Sequence, residues 1–189
     1  MEAEWEVEVG GGAPVIEALW PGFVDLRQQP ERLAEIAEAA AFPPLAELLR
    51  TLNAADCPVW TAKCDVWETE PSEADEASHA GTSVLIVLAC YVDVLPRAGQ
   101  VFAQWQQAEA FCRACVVRLA PTPLPNCRVE FIIRQAIAGE AEGFGVTAYF
   151  SGAGRDRAAA SQMLAAALAT FADSILPATP PATAASKLQ

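Results

Sequence analysis

Apolar and polar positions alternate along some stretches of this chain and recur every three or four residues along others. Alternation, or a continuous apolar run, predicts strands at 1–9, 15–26, 59–67, 84–94, 129–137 and 144–150. Helical spacing of apolar residues predicts helices at 30–40, 44–52, 102–119 and around 164–175. From residue 15 onward the order is therefore strand, helix, strand, strand, helix, strand, then a hairpin strand and a closing helix.

That order is typical of the ferredoxin-like βαββαβ unit, in which two helices pack on one face of an antiparallel sheet. We therefore predict one α+β domain over residues 1–176, with a mainly antiparallel sheet and helices packed on it. An N-terminal strand, a C-terminal hairpin strand and a C-terminal helix would extend the unit, and 177–189 would be a flexible tail rich in Pro, Ala and Thr. The run 84–94 is apolar on both faces, so we expect it to be the central and most buried strand.

The charge of the chain excludes some partners. It has 24 acidic and 12 basic residues, a formal net charge of -12, and such a surface repels phosphate backbones and anionic lipid. We therefore expect no nucleic-acid partner and no membrane partner. The excess of alanine, and of arginine over lysine, indicates a bacterial source. The first residues lack the pattern of a signal peptide, so we expect a cytoplasmic protein with reduced thiols.

Six cysteines are the first candidates for chemistry. Cys112 and Cys115 form a C-x-x-C pair, an arrangement found in redox and zinc sites. The pair falls well inside a predicted helix, and no second C-x-x-C supplies further ligands. We interpret all six cysteines as buried, reduced thiols and predict no metal and no cofactor. A redox or metal role for the pair stays the alternative.

Other motifs are incomplete. His79 is the only histidine and falls in an acidic stretch, so no rigid element positions it for catalysis. Residues 151–155 join a strand to a helix, where backbone N–H groups can hold an anion, but the lysine of a P-loop is missing. We interpret the first as a solvated loop residue and the second as a plain connection.

Two groups of residues are candidate binding surfaces. Aromatic and charged side chains flank a Pro-Gly bend at Trp20, Phe23, Asp25 and Arg27. Arg134 and Tyr149 add polar groups on two later strands. Aromatic residues beside Pro-Gly also pack turns down onto a core, which is the structural explanation for the first group.

No constellation of catalytic residues emerges, so we predict a non-catalytic binding or protein-interaction module. The partner would be a second copy of the chain, as a homodimer, or another protein. The alternative is a small-molecule-binding protein or enzyme with a pocket between sheet and helices, using groups such as Asp25, Arg134 and Tyr149. Dimerisation is expected if the last helix leaves one sheet face uncovered, because monomers seldom expose large apolar patches.

Overall fold

The computed structural model describes residues 1–8, 14–70 and 86–176 of the chain. In these residues six strands form one sheet: β1 Glu2–Val7, β2 Ile16–Ala18, β3 Val59–Thr69, β4 Ile86–Pro96, β5 Cys127–Ala138 and β6 Ala141–Gly154. The helices are a 3-10 turn Pro30–Glu35, α1 Ala37–Ala41, α2 Pro43–Asn53, α3 Trp105–Leu119 and α4 Arg157–Ile175. The predicted α+β class is confirmed. His79 and the predicted tail lie outside the described residues.

The strand order of the sheet is β1-β5-β6-β4-β3, with β2 also paired to β5. β1 and β2 run parallel to β5 and follow one another along it, at 128–133 and then 136–138. The other neighbours are antiparallel. The sheet is therefore mixed, with an edge strand made of two short pieces.

This order differs from that of a ferredoxin-like unit, in which the first strand would lie between β5 and β4. β6 has that place instead. The first strand of the predicted unit is reduced to the three residues of β2, because the turn at Pro21 and Gly22 ends it, and 24–26 form no strand. β6 has 14 residues and follows β5 through a two-residue turn where Gly139 adopts a φ of 61°. Such a turn makes the hairpin partner the nearest neighbour, so β6 takes the central position.

β4 is the predicted apolar strand, and it lies inside the sheet between β6 and β3. Its residues are buried on both faces at eight of eleven positions. The expectation of an interior, buried strand is confirmed, but the middle strand of the sheet is β6. Val84, where the strand was expected to begin, lies outside the described residues.

Three helices pack on one face of the sheet, which we call the helix face. α4 lies along β6 and β4, α3 lies over β1, β5 and β6, and α2 contacts α4 and β3. The rings of Phe131, Phe150 and Phe171 fill the space between sheet and helices, with Phe171 5.6 Å and 5.0 Å from the other two ring centroids. The last helix therefore does not cross to the other face.

α4 is the closing helix that the sequence predicted, and its four expected core residues, Leu164, Leu168, Phe171 and Ile175, are all buried. With 19 residues and a mean hydropathy of 1.2, it is the one helix in the described part of the chain with the length and composition of a membrane span. A core helix packed on a sheet has the same composition, and α4 has those contacts.

α3 begins later than predicted and buries a different face. It starts at Trp105, which is exposed, whereas Phe102 forms an isolated bridge with Phe144 of β6. The buried positions of α3 are Ala108, Cys112, Cys115 and Leu119. The spacing of apolar residues predicts a buried stripe of Phe102, Trp105, Cys112, Val116 and Leu119. Of these only Cys112 and Leu119 are fully buried, and Ala108 and Cys115 take the other core positions.

Candidate functional site

The face of the sheet opposite the helix face, here called the second face, carries the candidate site. One end of it is covered by the chain segment around β2. A small core lies there, formed by Ile16, Ala18, Trp60, Leu95, Val101, Ala136 and Ala138. The rest of this face displays aromatic and charged side chains from β3, β4, β5 and β6.

A β-bulge in β3 shapes this surface. Thr61 pairs with Val94 and Cys64 pairs with Val92, which leaves Ala62 and Lys63 opposite the single residue Asp93. The predicted alternation of β3 is therefore broken: Trp60 joins the core of the second face, whereas Cys64 packs against the core of the helix face. The shift brings the Lys63 side chain toward Asp93.

Asp93 lies at the centre of the second face and is only 4% exposed. Thr147 is 1% exposed, and its Oγ1 donates a hydrogen bond of 2.7 Å to Asp93 Oδ1. Arg134 Nη1 lies 3.5 Å from the same hydroxyl oxygen. We call Asp93, Thr147 and Arg134 the Asp93 cluster; it joins β4, β6 and β5.

Burial is the main influence on the Asp93 carboxyl. It raises the pKa from 3.8 to about 6, although the Thr147 hydrogen bond and the charges of Lys63 and Arg134 act in the opposite direction. A carboxyl that titrates near pH 6 changes its charge within the physiological range. Such groups are found at functional sites more often than elsewhere, and also in structural networks.

Arg134 connects this cluster to the surface. Its Nη1 donates to the Tyr149 hydroxyl at 3.0 Å, and its Nε donates to the Glu8 carboxylate at 2.8 Å. Burial alone would lower the pKa of Arg134, but its bonds to Tyr149 and Glu8 outweigh that effect and raise it. The guanidinium is therefore a fixed positive charge held between β5, β6 and the end of β1.

An aromatic row crosses the second face beside the cluster. Trp67, Tyr91 and Tyr149 come from three neighbouring strands, with ring centroids 6.1 Å and 5.8 Å apart. Trp67 is 36% exposed, and both tyrosines are half-buried. Burial, followed by the charges of Asp93 and Asp65, raises the pKa of Tyr91 to about 12, so its phenol stays protonated at neutral pH. The row offers ring surface together with hydroxyl donors.

The Pro-Gly bend forms a second group next to this face. Arg27 makes two parallel hydrogen bonds to Asp25, each 2.8 Å, and its guanidinium carbon lies 3.6 Å from the Trp60 ring centroid. Burial by itself raises the pKa of Asp25, but the bonds and charge of Arg27, together with Arg97, outweigh it and lower the pKa. The ion pair orients the Arg27 guanidinium, and the stacking of that group on Trp60 of β3 fastens the bend to the sheet.

Trp20 and Phe23 complete the bend. Their rings meet edge to face at 4.7 Å, and Phe23 lies 6.2 Å from Trp60 in the same kind of contact. The Lys63 ammonium lies 5.4 Å from the Trp20 ring. The rings of Trp20 and Phe23 therefore lie beside the bulge of β3 and are not surrounded by solvent alone.

The structure brings the sequence candidates together in pairs. Trp20 contacts Phe23, Asp25 binds Arg27, and Arg134 binds Tyr149. The rings of Phe131, Phe150 and Phe171 pack between sheet and helices, and the three pairs lie on the other side of the sheet.

Four residues of this surface were missed by sequence reasoning: Lys63, Trp67, Tyr91 and Asp93. One signal was available, because Asp93 is the only charged residue in an otherwise apolar strand that was expected to be buried on both sides. A charge at such a position requires a partner or a function.

All six cysteines are free thiols, and only Cys64 is more than slightly exposed. Burial raises the pKa of Cys115 to about 12 and that of Cys127 to about 11. Cys112 and Cys115 both face the core from the middle of α3. Across the described ranges, no group of three His, Cys, Asp or Glu side chains is placed to hold a metal ion.

No protein-family model matches this chain, no curated protein sequence matches it, and no solved structure matches it.

Proposed function

We propose that this chain is a non-catalytic binding module whose second face pairs with a second copy of the same chain. The observation that carries the proposal is the row of Trp67, Tyr91 and Tyr149 on a sheet face that none of α2, α3 and α4 covers. Large aromatic side chains and arginine are the residues most enriched in the centres of protein interfaces. Arg134, fixed by Tyr149, adds the arginine.

A twofold dimer suits this surface because the row crosses the sheet near its middle strand, β6. Two such faces can be laid against one another with ring surface meeting ring surface. The charged side chains of the edge strands, such as Glu4 and Glu6 on β1, would then lie at the rim, where they stay hydrated. Trp67, at the opposite edge, would lose its exposed area.

The effect of added salt on binding distinguishes self-association from association with a basic protein. Each copy carries a formal net charge of -12, so two copies repel one another and added salt strengthens their pairing. A basic partner would be attracted, and added salt would weaken that complex. The salt dependence therefore has opposite signs for the two kinds of partner.

Sedimentation equilibrium tests the proposal. The chain has a mass of 20.0 kDa, so a homodimer gives twice that value. Trp67→Glu should weaken dimerisation by about tenfold or more, since it places in the aromatic row a charge of the same sign as that of the partner copy. Trp105→Glu is the matched control, because Trp105 is 37% exposed but belongs to α3 on the helix face. A monomer at all concentrations, or equal effects of the two variants, would contradict the proposal.

A small-molecule site or an enzyme is the second candidate, and the Asp93 cluster is the observation that favours it. A carboxyl whose pKa is about 6 can exchange a proton near neutral pH, and the Tyr91 phenol and Lys63 ammonium lie close to it. Retention of a bound compound after purification, detected by native mass spectrometry, would favour this candidate over the first.

A further inference from the structure

A cleft of about 300 Å³ lies between the Pro-Gly bend and the bulge of β3. Its walls include the aromatic residues Trp20, Phe23 and Tyr91, and it also has two charged lining residues, Lys63 and Glu38. The volume is at the small end of the range for clefts that hold small ligands, and a mostly apolar lining with a few polar groups is typical of such sites.

The aromatic wall is held in place before any ligand arrives. Trp20 packs edge to face on Phe23, and Phe23 in turn packs on the fully buried Trp60. The Arg27–Asp25 ion pair fixes the chain just after Phe23, and the Arg27 guanidinium lies over the Trp60 ring. A wall that is already ordered loses little conformational entropy on binding.

The two charges of the cleft do not neutralise each other. Lys63 has Glu17 at 4.0 Å as its ion-pair partner, at the outer limit of such contacts, and the Asp93 carboxyl is a further counter-charge beyond ion-pair distance. Within the described part of the chain, Glu38 has no cation within ion-pair distance. Burial raises the pKa of Cys64, a lining residue of the cleft, to about 12, and the negative charge of Glu38 is the second cause. The charge of Glu38 therefore acts on the lining of the cleft. The Glu38 carboxylate and the Lys63 ammonium group thus line one small cleft without forming an ion pair with each other.

We propose that this cleft binds a small zwitterion with an aromatic body, by class an aromatic α-amino acid. Its carboxylate lies at Lys63, its ammonium group at Glu38, and its ring against Trp20 and Phe23. The Tyr91 phenol is an additional donor for the carboxylate. This function goes beyond pairing through the second face, and the cleft shares only Tyr91 with the aromatic row.

Because the cleft carries one positive and one negative side chain, a ligand with a single charge binds less tightly than a zwitterion. A plain carboxylic acid meets Lys63 but is repelled by Glu38, and a plain amine meets Glu38 but is repelled by Lys63. Only a zwitterion pairs with both. Hydrogen bonds to charged groups are worth more than neutral ones, so removing either ligand charge should weaken binding by about tenfold or more.

Isothermal titration calorimetry of the full chain with L-phenylalanine, 3-phenylpropionate and 2-phenylethylamine tests the proposal. We expect L-phenylalanine to bind with a Kd below about 1 mM and the other two compounds to bind at least about tenfold more weakly. Absence of L-phenylalanine binding, or equal binding of the three compounds, overturns the proposal.

Two variants locate the site. Lys63→Met and Glu38→Gln should each weaken L-phenylalanine binding by about tenfold, while Arg155→Met and Glu31→Gln, at exposed positions outside the cleft, should leave it unchanged. Far-ultraviolet circular dichroism checks that each variant is folded. Binding that survives both cleft substitutions places the ligand elsewhere and overturns the proposal, whatever the oligomeric state.

Discussion

Thr147 donates a 2.7 Å hydrogen bond to Asp93, and the two side chains are among the least exposed polar groups of the described residues, although none of α2, α3 and α4 covers their face of the sheet. The pair is covered by longer neighbours, with Arg134 on one side and the Lys63 bulge on the other. The Asp93 carboxyl is thus buried at the centre of the second face, beneath the side chains of its neighbours.

Asp93 should make the protein less stable as the pH rises. Its pKa in the folded state is about 6, above the unfolded value of 3.8, so the folded state holds the proton more tightly. The contribution of Asp93 to the free energy of unfolding is therefore greatest below pH 3.8. About 3 kcal/mol of this contribution is lost once the pH exceeds 6. Asp93→Asn should remove this loss, as measured by urea unfolding at a series of pH values.

The control for that experiment is Asp173→Asn, at an exposed position of α4. This variant should follow the wild-type curve between pH 4 and pH 6. A wild-type protein whose stability rises through this window relative to Asp93→Asn would show that the Asp93 carboxyl is stabilised as an anion, contrary to our account.

Arg27 should be hard to replace even by lysine. It binds Asp25 with two hydrogen bonds and stacks on Trp60, and the ion pair is 12% and 13% exposed. Lysine cannot make the paired bonds, so Arg27→Lys should lower the free energy of unfolding by about 2 kcal/mol at pH 7. Because the pKa of Asp25 is lowered in the folded state, this difference should shrink as the pH falls below 3.8.

Arg32→Lys gives the comparison, since Arg32 also binds a carboxylate in two places, that of Glu35, but on an exposed turn. No measurable change in unfolding is expected there. Equal effects of the two substitutions would mean that the bend is not fastened by its ion pair.

Gly152 should not tolerate a side chain. A Cβ placed on it would lie 2.2 Å from the Leu164 backbone nitrogen, because α4 sits directly on β6 at this point. Gly152→Ala should therefore destabilise the protein by about 2–3 kcal/mol. Ser151→Ala, one residue earlier and on the second face, should change stability by less than about 0.5 kcal/mol. Thermal unfolding measures both, and a neutral Gly152→Ala would place α4 elsewhere.

The thiols should be unreactive in the folded protein. Burial raises the pKa of Cys64 and of Cys115 to about 12, so little thiolate exists at neutral pH. A thiol reagent should label the native protein slowly and count six groups under denaturant, and elemental analysis should return no stoichiometric zinc. A Cys112–Cys115 disulfide found by mass spectrometry would contradict this.

The sequence predicted most elements of the fold because each has a strong local pattern. The apolar run of β4 and the heptad-like spacing of Leu164, Leu168 and Phe171 are properties of a single segment. Strand order is different, since it depends on which segments compete for one place in the sheet. The short connection between β5 and β6 favours β6 as the neighbour of β5. β6 therefore takes the place between β5 and β4 that was predicted for the strand containing β2.

The candidate site was predictable only in part for the same reason. Arg134 and Tyr149 were found as polar residues on strands, and the structure joins them by a hydrogen bond. Lys63 was assigned to a regular alternation, and the bulge that turns it toward Asp93 leaves no mark in the local pattern. Such a bulge is fixed by the register of β3 against β4, which is a tertiary property.

Pairing of the second face with a second copy can be followed by a fluorine NMR dilution series on protein labelled with 5-fluorotryptophan. Phenylalanine substitutions assign the resonances of Trp67 and Trp105. We expect the Trp67 resonance to shift over the concentrations at which sedimentation shows the dimer dissociating to 20.0 kDa, while the Trp105 resonance stays fixed. A Trp67 resonance that does not change with concentration, or a shift confined to Trp105, would contradict it.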